Sequence, residues 1–345
     1  MGVIEAQQDT QADRSATDLL LRAGGLAQTL GFTSHGPVNF SASILDSDGT
    51  RFVAMIDQLD LASWNIRYTF MANEEFAQLV RNDPSRGMQV YWGEVLARAH
   101  LTAATAILRS RHWVSAVIAA AEIKNLLSFA AALRGLIESA ADTSSALGQI
   151  PCTLARDHAQ IMLALSGHLR HAVFISSEIE DKLIHFSYAR HLTKAELATT
   201  PTSHKAMKVR DYIEVLEKGR VTNIIECYRA LCDLTHPGAS SVWMWLHPVN
   251  DLEMDLKVDQ DDSVIAYFLE EYRRTIVELL MFAFNPAIVT LRTLNYFPLA
   301  KLHVPALENW NMTGIPLWQK CQADLTGLTP KTDERLRNVK PNASL

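Results

Sequence analysis

The feature that most constrains the fold is a long stretch, from Tyr91 to Tyr296, in which apolar residues recur at helical spacing. Within it, Tyr91–Arg109 and His112–Ala141 are rich in Ala and Leu, which have high helix propensity. Glycine and proline are sparse, with 15 and 12 residues among 345, and this favours long helices. These two segments predict an antiparallel helical pair, and the whole stretch predicts a predominantly all-α bundle.

Further helical segments are separated by residues that weaken or end helices. Gly167 and Gly219 mark an expected break and an expected kink, because glycine destabilises a helix interior. Pro237 is expected to end one helix, and Pro286 to interrupt another. Residues 242–258 alternate apolar and acidic side chains, which fits a short strand or an extended loop. The predicted helical segments are Thr153–His191, Lys208–Thr235 and Val264–Phe284.

The two ends of the chain are less regular. Residues 1–18 are polar and predict disorder, and residues 19–30 predict a short helix. Residues 33–50 contain turn-forming residues and predict a loop or short strand, whereas residues 51–80 predict one or two short helices. A Pro- and Gly-containing stretch at 82–87 then marks a boundary. The predicted domains are an N-terminal extension of mixed structure at 1–88, a helical bundle at 89–296 and an irregular C-terminal tail, wrapped over the bundle, at 297–345.

The composition is that of an ordinary globular protein, with 48% hydrophobic and 20% charged residues. A net charge of −6 and a pI of about 6.1 argue against a protein that coats nucleic acid by bulk electrostatics, whereas local recognition of RNA is compatible with them. The most apolar stretch, Trp113 to Ile137, is interrupted by Glu122, Lys124 and Arg134. It therefore predicts a buried helix, and no membrane association.

The cysteines are scattered and form no CxxC or CxxxC pair, so they predict buried thiols in a reducing compartment. The first residues carry no apolar signal-peptide core, which together with the thiols predicts a cytoplasmic protein. The four cysteines are Cys152, Cys227, Cys232 and Cys321.

A stripe of metal-ligating residue types occurs in the third helical segment, where His171, Glu178 and His185 repeat every seven residues. A carboxylate-bridged di-metal bundle would need Glu-x-x-His pairs, and the sequence contains none. The nearest approach is Asp233-x-x-His236, which is more typical of a helix-end hydrogen bond. We therefore expect neither a metal nor a cofactor.

One short motif, Glu226–Gly238, carries the chemistry that the sequence suggests. Arg229 and His236 are seven residues apart, almost two helical turns, so a helix places both on one face. Glu226 and Asp233 share that face. The opposite, apolar face is expected to pack against the core and consists of Ile224, Ile225, Tyr228, Leu231 and Cys232.

This motif resembles the HEPN domains (higher eukaryotes and prokaryotes nucleotide-binding), all-helical bundles whose ribonuclease members carry an arginine followed, after four to six residues, by a histidine. Arg229-Ala-Leu-Cys-Asp-Leu-Thr-His236 has six intervening residues. Leu133-Arg-Gly-Leu-Ile-Glu138, followed by Tyr-x-x-Leu-Cys-x-x-x-His-Pro, looks like several uncharacterised bacterial families related to HEPN proteins. The resemblance covers the middle of the chain.

The resemblance implies a metal-independent endoribonuclease, or another effector acting on RNA or nucleotide, with Arg229 and His236 as catalytic residues at a homodimer seam. His236 would move the ribose 2′-hydroxyl proton and Arg229 would hold the phosphate, leaving a 2′,3′-cyclic phosphate. A toxin or defence effector under the control of a regulatory protein partner is the implied role. Supporting residues are expected to be Glu226, Tyr228, Asp233, Arg134 and Glu138.

Simpler alternatives stay open at this point. Arg229 would pair with a carboxylate of its own helix, and His236 would interact with the helix dipole. Arg134 and Glu138 would form a surface ion pair, or would line the site if their helix packs on that of Arg229. The corresponding functions are a non-catalytic helical interaction or regulatory module, and nucleotide binding without cleavage.

Overall fold

A computed structural model describes residues 40–59, 64, 66–169, 173–250 and 252–326. These residues form α-helices and one two-stranded antiparallel sheet, which confirms the predominantly all-α class. The helices are α1 (Phe40–Asp57), α2 (Asn73–Asn82), α3 (Pro84–Glu122), α4 (Leu126–Leu147), α5 (Ile150–Arg156), α6 (His158–Leu165), α7 (Ser177–Tyr188), α8 (Val209–Lys218), α9 (Ile224–Thr235), α10 (Ala239–Trp243), α11 (Asp261–Leu294) and α12 (Pro316–Thr326); the strands are β1 (Leu246–Asn250) and β2 (Glu253–Leu256).

The described residues divide into two compact units, each assembled from segments that are distant in sequence. The domain boundaries predicted above, at residues 88 and 296, stay a prediction. The first unit contains residues 40–56, Arg109–Ala140 and Ile213–Met281, and the second contains Asp57–Leu108, Ala141–Tyr212 and residues 282–326.

In the first unit, α3 and α4 form an antiparallel pair, but the predicted pairing of Tyr91–Arg109 with His112–Ala141 is wrong in its bounds, because residues 112–122 belong to α3. The Arg109 Nε donates to the Ser139 Oγ at 2.9 Å. Farther along α3, the Trp113 ring lies so close to Gly135 that a Cβ atom at residue 135 would be 2.7 Å from it. The later residue of α3 contacts the earlier residue of α4, so the two helices run in opposite directions. Glycine permits their close approach at this point.

Several helix boundaries differ from the sequence prediction. The loop or short strand predicted for residues 33–50 is wrong from Phe40 onward, because α1 begins there and buries Leu45. The break predicted near residue 110 is also wrong, since α3 continues to Glu122 through a stretch without proline or glycine. The predicted disordered segment 1–18 and short helix 19–30 lie outside the described residues.

The actual start of α4 has a local cause. The Asn125 Oδ1 accepts a hydrogen bond from the Ser128 N–H at 2.9 Å, which is the geometry of an N-cap. The predicted break at Gly167 is confirmed, and this residue has a φ of +73° that favours glycine. The predicted kink at Gly219 is a complete break, because α8 ends just before it and α9 begins at Ile224.

The interruption predicted at Pro286 is wrong, because α11 continues through this residue and has its kink at Tyr272 instead. Proline has no N–H, so the carbonyl of Phe282, four residues earlier, lacks its helical donor. The Ser144 Oγ of α4 donates to that carbonyl oxygen at 3.1 Å. A hydroxyl group of another helix therefore replaces the missing bond.

Among the described residues, α11 is the one helix long and apolar enough to cross a membrane, but 67% of its most apolar window is buried inside the protein. Core helices of soluble proteins meet the same criterion, so the length of α11 is weak evidence for a membrane span.

Residues 242–258 contain the predicted extended structure as a hairpin of β1 and β2. Leu246 lies opposite Leu256, and His247 lies opposite Asp255. The Trp245 Nε1 donates to the Asp261 Oδ1 at 3.3 Å, which ties the hairpin to the start of α11. In the second unit, the chain after α11 passes through short 3₁₀ turns to α12, which packs along α5.

Replacing Ser144 by Ala is expected to lower the free energy of unfolding by about 1 to 2 kcal/mol, because the Phe282 carbonyl is then left without a donor. In a Pro286→Ala background the restored N–H serves that carbonyl, so the same replacement should cost less. Urea denaturation of the four proteins measures this coupling. Equal costs in both backgrounds would show that Ser144 does not substitute for the missing N–H.

Candidate functional site

The helix α9 has the amphipathic character that the sequence predicts. Its exposed side carries Glu226, Arg229 and Asp233, and His236 continues this stripe directly after the helix. The buried side includes Cys227, a residue absent from the predicted apolar face. The fully buried residues of α9 are Ile224, Cys227 and Leu231, and the half-buried ones include Ile225, Tyr228 and Cys232.

The backbone at the end of α9 places His236 just outside the helix. Its φ and ψ are −84° and 142°, the extended conformation that a following proline imposes on the preceding residue. The His236 N–H still donates to the Cys232 carbonyl at 2.8 Å, which completes the helix. The imidazole is exposed to solvent. Pro237 therefore ends α9 as predicted and leaves the His236 ring accessible.

Arg134 of α4 reaches the same helix end. Its Nη1 donates to the Thr235 Oγ1 at 3.1 Å and lies 3.4 Å from the His236 Nε2. A guanidinium group has donors only, so a hydrogen bond between these two groups requires the His236 Nε2 as the acceptor. The structure thus places the Arg134 guanidinium beside an exposed imidazole.

Glu138, one turn after Arg134, holds two groups of the cluster. Its Oε1 accepts from the Tyr228 hydroxyl at 2.6 Å and from the Arg134 Nε at 3.3 Å. The Arg134 guanidinium also lies over the Tyr228 ring, 5.6 Å from its centre. Burial and the hydrogen bond to Glu138 raise the pKa of Tyr228, so its hydroxyl remains a donor at neutral pH.

The structure therefore gathers part of the predicted site into one group, which we call the Arg134 cluster. It contains Arg134, Glu138, Tyr228, Thr235 and His236. Thr235 is the member that the sequence analysis missed. Its position directly before His236 is the only sequence feature that points to it. The spacing of the motif residues does not assign it a role.

The remaining predicted residues lie on the solvent side of α9. The Arg229 side chain forms no hydrogen bond or ion pair with another described residue, so the suggested pairing with Glu226 or Asp233 does not occur among them. Burial raises the pKa of the Asp233 carboxyl, and the nearby charge of His236 opposes this rise. Arg229 is thus a cation left open to a ligand.

The described residues contain no group of three or more His, Cys, Asp or Glu side chains able to hold a metal ion. Of the stripe considered above, His171 lies outside them. Both ring nitrogens of His185 are engaged, with the Ser203 carbonyl and the Tyr212 hydroxyl, each at 3.0 Å. The Arg134 cluster itself has an imidazole that can transfer a proton and a guanidinium that can bind an anion.

No family model matches this sequence, and comparisons with curated proteins and with solved structures give no match either. The HEPN resemblance thus remains a prediction based on the spacing of Arg229 and His236.

Replacing Tyr228 by Phe is expected to lower the free energy of unfolding by about 1 kcal/mol, because a hydrogen bond to a half-exposed carboxylate is lost. The loss should be smaller in a Glu138→Gln background, since the two residues share that bond. Chemical denaturation of the single and double variants measures the coupling energy. Strictly additive effects would mean that the bond contributes nothing.

Proposed function

We propose that this protein is a metal-independent endoribonuclease of the HEPN-like kind, in which His236 and two arginines act on an RNA phosphodiester. The observation that carries the proposal is the 3.4 Å contact between the Arg134 Nη1 and the His236 Nε2 on an exposed surface. An accessible imidazole beside a guanidinium combines a proton acceptor with a group that binds phosphate.

The reaction uses each of these groups in a defined way. The His236 Nε2 takes the proton of a ribose 2′-hydroxyl, and the 2′-oxygen attacks the adjacent phosphorus. Arg134 turns from His236 to the phosphate oxygens, while Arg229 binds the same or the neighbouring phosphate. The bond from phosphorus to the 5′-oxygen breaks, an imidazolium supplies the proton to that oxygen, and the product ends in a 2′,3′-cyclic phosphate.

Glu138 and Tyr228 are positioning residues in this scheme. They hold the Arg134 side chain at the end of α9, so that its guanidinium lies within reach of both His236 and a bound phosphate.

Each chain supplies one such histidine, so a homodimer would provide one base and one acid across a two-fold axis. The exposed position of Arg229 and His236 leaves room for a second copy. We place the activity in the cytoplasm, as that of a toxin or defence effector held in check by a regulatory protein.

A second candidate function is that of an interaction module, and the free edge of β2 favours it. The Lys257 N–H donates to the Trp245 carbonyl at 2.8 Å. Because antiparallel pairs alternate, the backbone groups of Met254 and Leu256 then point away from β1. The matching outward positions on β1 are Leu246 and Pro248, and the second of these has no N–H. Among the described residues, β2 is therefore the strand able to accept a further strand.

The side chains of the hairpin indicate what kind of strand would bind. Leu252, Met254 and Leu256 are 95%, 45% and 70% exposed. Glu253 and Asp255 alternate with them along β2, so a second copy paired at this edge would bring like charges together. Charge thus favours a partner protein whose strand alternates basic and apolar side chains.

For the nuclease, we expect the purified protein to cleave a mixed RNA pool in the presence of EDTA and to leave cyclic-phosphate ends. His236→Ala should lower the rate by roughly 10² to 10⁴, the usual contribution of general acid–base catalysis. Arg134→Ala and Arg229→Ala should lower it by roughly 10², because each removes a cation from the phosphate. The matched control is His112→Ala, since His112 is also exposed and lies on α3 of the same unit.

Three results would count against this function. Cleavage that survives in His236→Ala would exclude the proposed base, and cleavage abolished by EDTA would exclude a metal-independent reaction. RNA binding without cleavage, lost in Arg229→Ala and kept in His236→Ala, would instead indicate nucleotide binding. Circular dichroism of each variant verifies that the fold is intact.

For the interaction module, a labelled peptide of alternating Val and Lys should bind, whereas one of alternating Val and Glu should not. A Leu252→Ser/Leu256→Ser variant should lose most of this affinity in a fluorescence anisotropy titration. Leu197→Ser is the control, because Leu197 is 47% exposed and lies outside the hairpin. If the hairpin variant and the Leu197→Ser control bind the Val–Lys peptide equally, the peptide is held by general charge attraction and not by the edge of β2.

A further inference from the structure

Two cysteines that are far apart in sequence lie in contact in the second unit. The Cys152 Sγ of α5 and the Cys321 Sγ of α12 are 3.6 Å apart, although 169 residues separate them. Both thiols are free. The packing of α12 along α5 holds the two sulfur atoms at this distance.

The two thiols differ in access to solvent. Cys152 is half-buried, whereas Cys321 is fully buried at 0% exposure. Burial raises the pKa of the Cys321 thiol, and the neighbouring Cys152 raises it further. A reagent from solution therefore reacts first with Cys152. Cys321 is in contact with it and is the second thiol.

We propose that Cys152 and Cys321 form a two-thiol oxidation site, which reacts with a peroxide and closes to a disulfide between α5 and α12. The sulfur atoms need to approach by about 1.5 Å, a distance that side-chain rotation and a small helix shift supply. Such a bond in a reducing compartment is reversible and regulatory, not a permanent structural link. The site is independent of the proposed ribonuclease activity.

The reaction proceeds in two balanced steps. The Cys152 thiol loses its proton and its sulfur attacks one peroxide oxygen. The O–O bond breaks, a sulfenic acid forms, and the released hydroxide takes up that proton and leaves as the first water. The Cys321 sulfur then attacks the Cys152 sulfur, so that the S–S bond forms, the S–O bond breaks and the second water leaves. In total the two thiols lose two electrons and two protons, and hydrogen peroxide is reduced to two water molecules.

The disulfide would fasten α12 to α5 within the second unit. At present α12 is held by packing and by Arg292, whose guanidinium lies 5.6 Å from the centre of the Trp318 ring. A covalent link between residues so far apart in sequence restricts the unfolded chain strongly. Oxidation is therefore expected to raise the thermal midpoint by roughly 5 °C, reversibly on reduction.

The test treats the full-length protein with a few equivalents of hydrogen peroxide and counts free thiols after denaturation. The count should fall from the four in the sequence to two, and peptide mapping should identify a Cys152–Cys321 link within one chain. Cys227→Ser is the control variant and should still lose two thiols. In Cys321→Ala, the second step is blocked, so a Cys152 sulfenic acid should accumulate and be trapped by dimedone.

Other outcomes would overturn the proposal. Linked chains in place of an internal bond, sulfinic acid at Cys152 in the wild-type protein, or four thiols left after treatment would each show that Cys321 does not resolve the oxidised residue. Cys152→Ser, which alters a half-buried position, should retain its fold and protect Cys321 from peroxide. Oxidation of Cys321 in this variant at the wild-type rate would contradict the assigned order of attack.

Discussion

The close packing of the Trp113 ring of α3 on Gly135 joins the two helices directly beside Arg134 of the Arg134 cluster. A Cβ atom at residue 135 would collide with the Trp113 ring, so the two helices approach this closely because of glycine. Arg134 and Glu138, one turn apart, lie on the side that meets α9.

The cluster that results is a continuous chain of polar contacts. Tyr228 donates to Glu138, Glu138 accepts from Arg134, and Arg134 reaches Thr235 and His236. Because each contact orients the next, the guanidinium is held at the helix end before a ligand arrives. Arg229, in contrast, stands in solvent on the same stripe. The surface thus carries Arg134, whose guanidinium is held by Glu138, together with the side chain of Arg229, unpaired among the described residues, and the imidazole of His236.

The limits of local sequence patterns are clear at particular residues. Gly167 and Gly219 interrupt helices as predicted, since their effect on the backbone is local. Pro286 does not, because Ser144 on another helix supplies the hydrogen bond that proline removes. Likewise, the turn-forming residues before residue 50 are overruled in α1, which buries Leu45 and Ile56. Tertiary contacts decided both exceptions.

The sequence by itself determined the helical class and the exposed stripe of α9 with Arg229 and His236, because a period of about 3.6 residues is a property of neighbouring positions. It also suggested Glu138 and Arg134 as members of the site, but not their contacts. Only the tertiary structure decided that Arg134 meets His236, 102 residues away, and that Cys152 meets Cys321, 169 residues away. Such contacts depend on how helices pack, and residue spacing along the chain does not encode that packing.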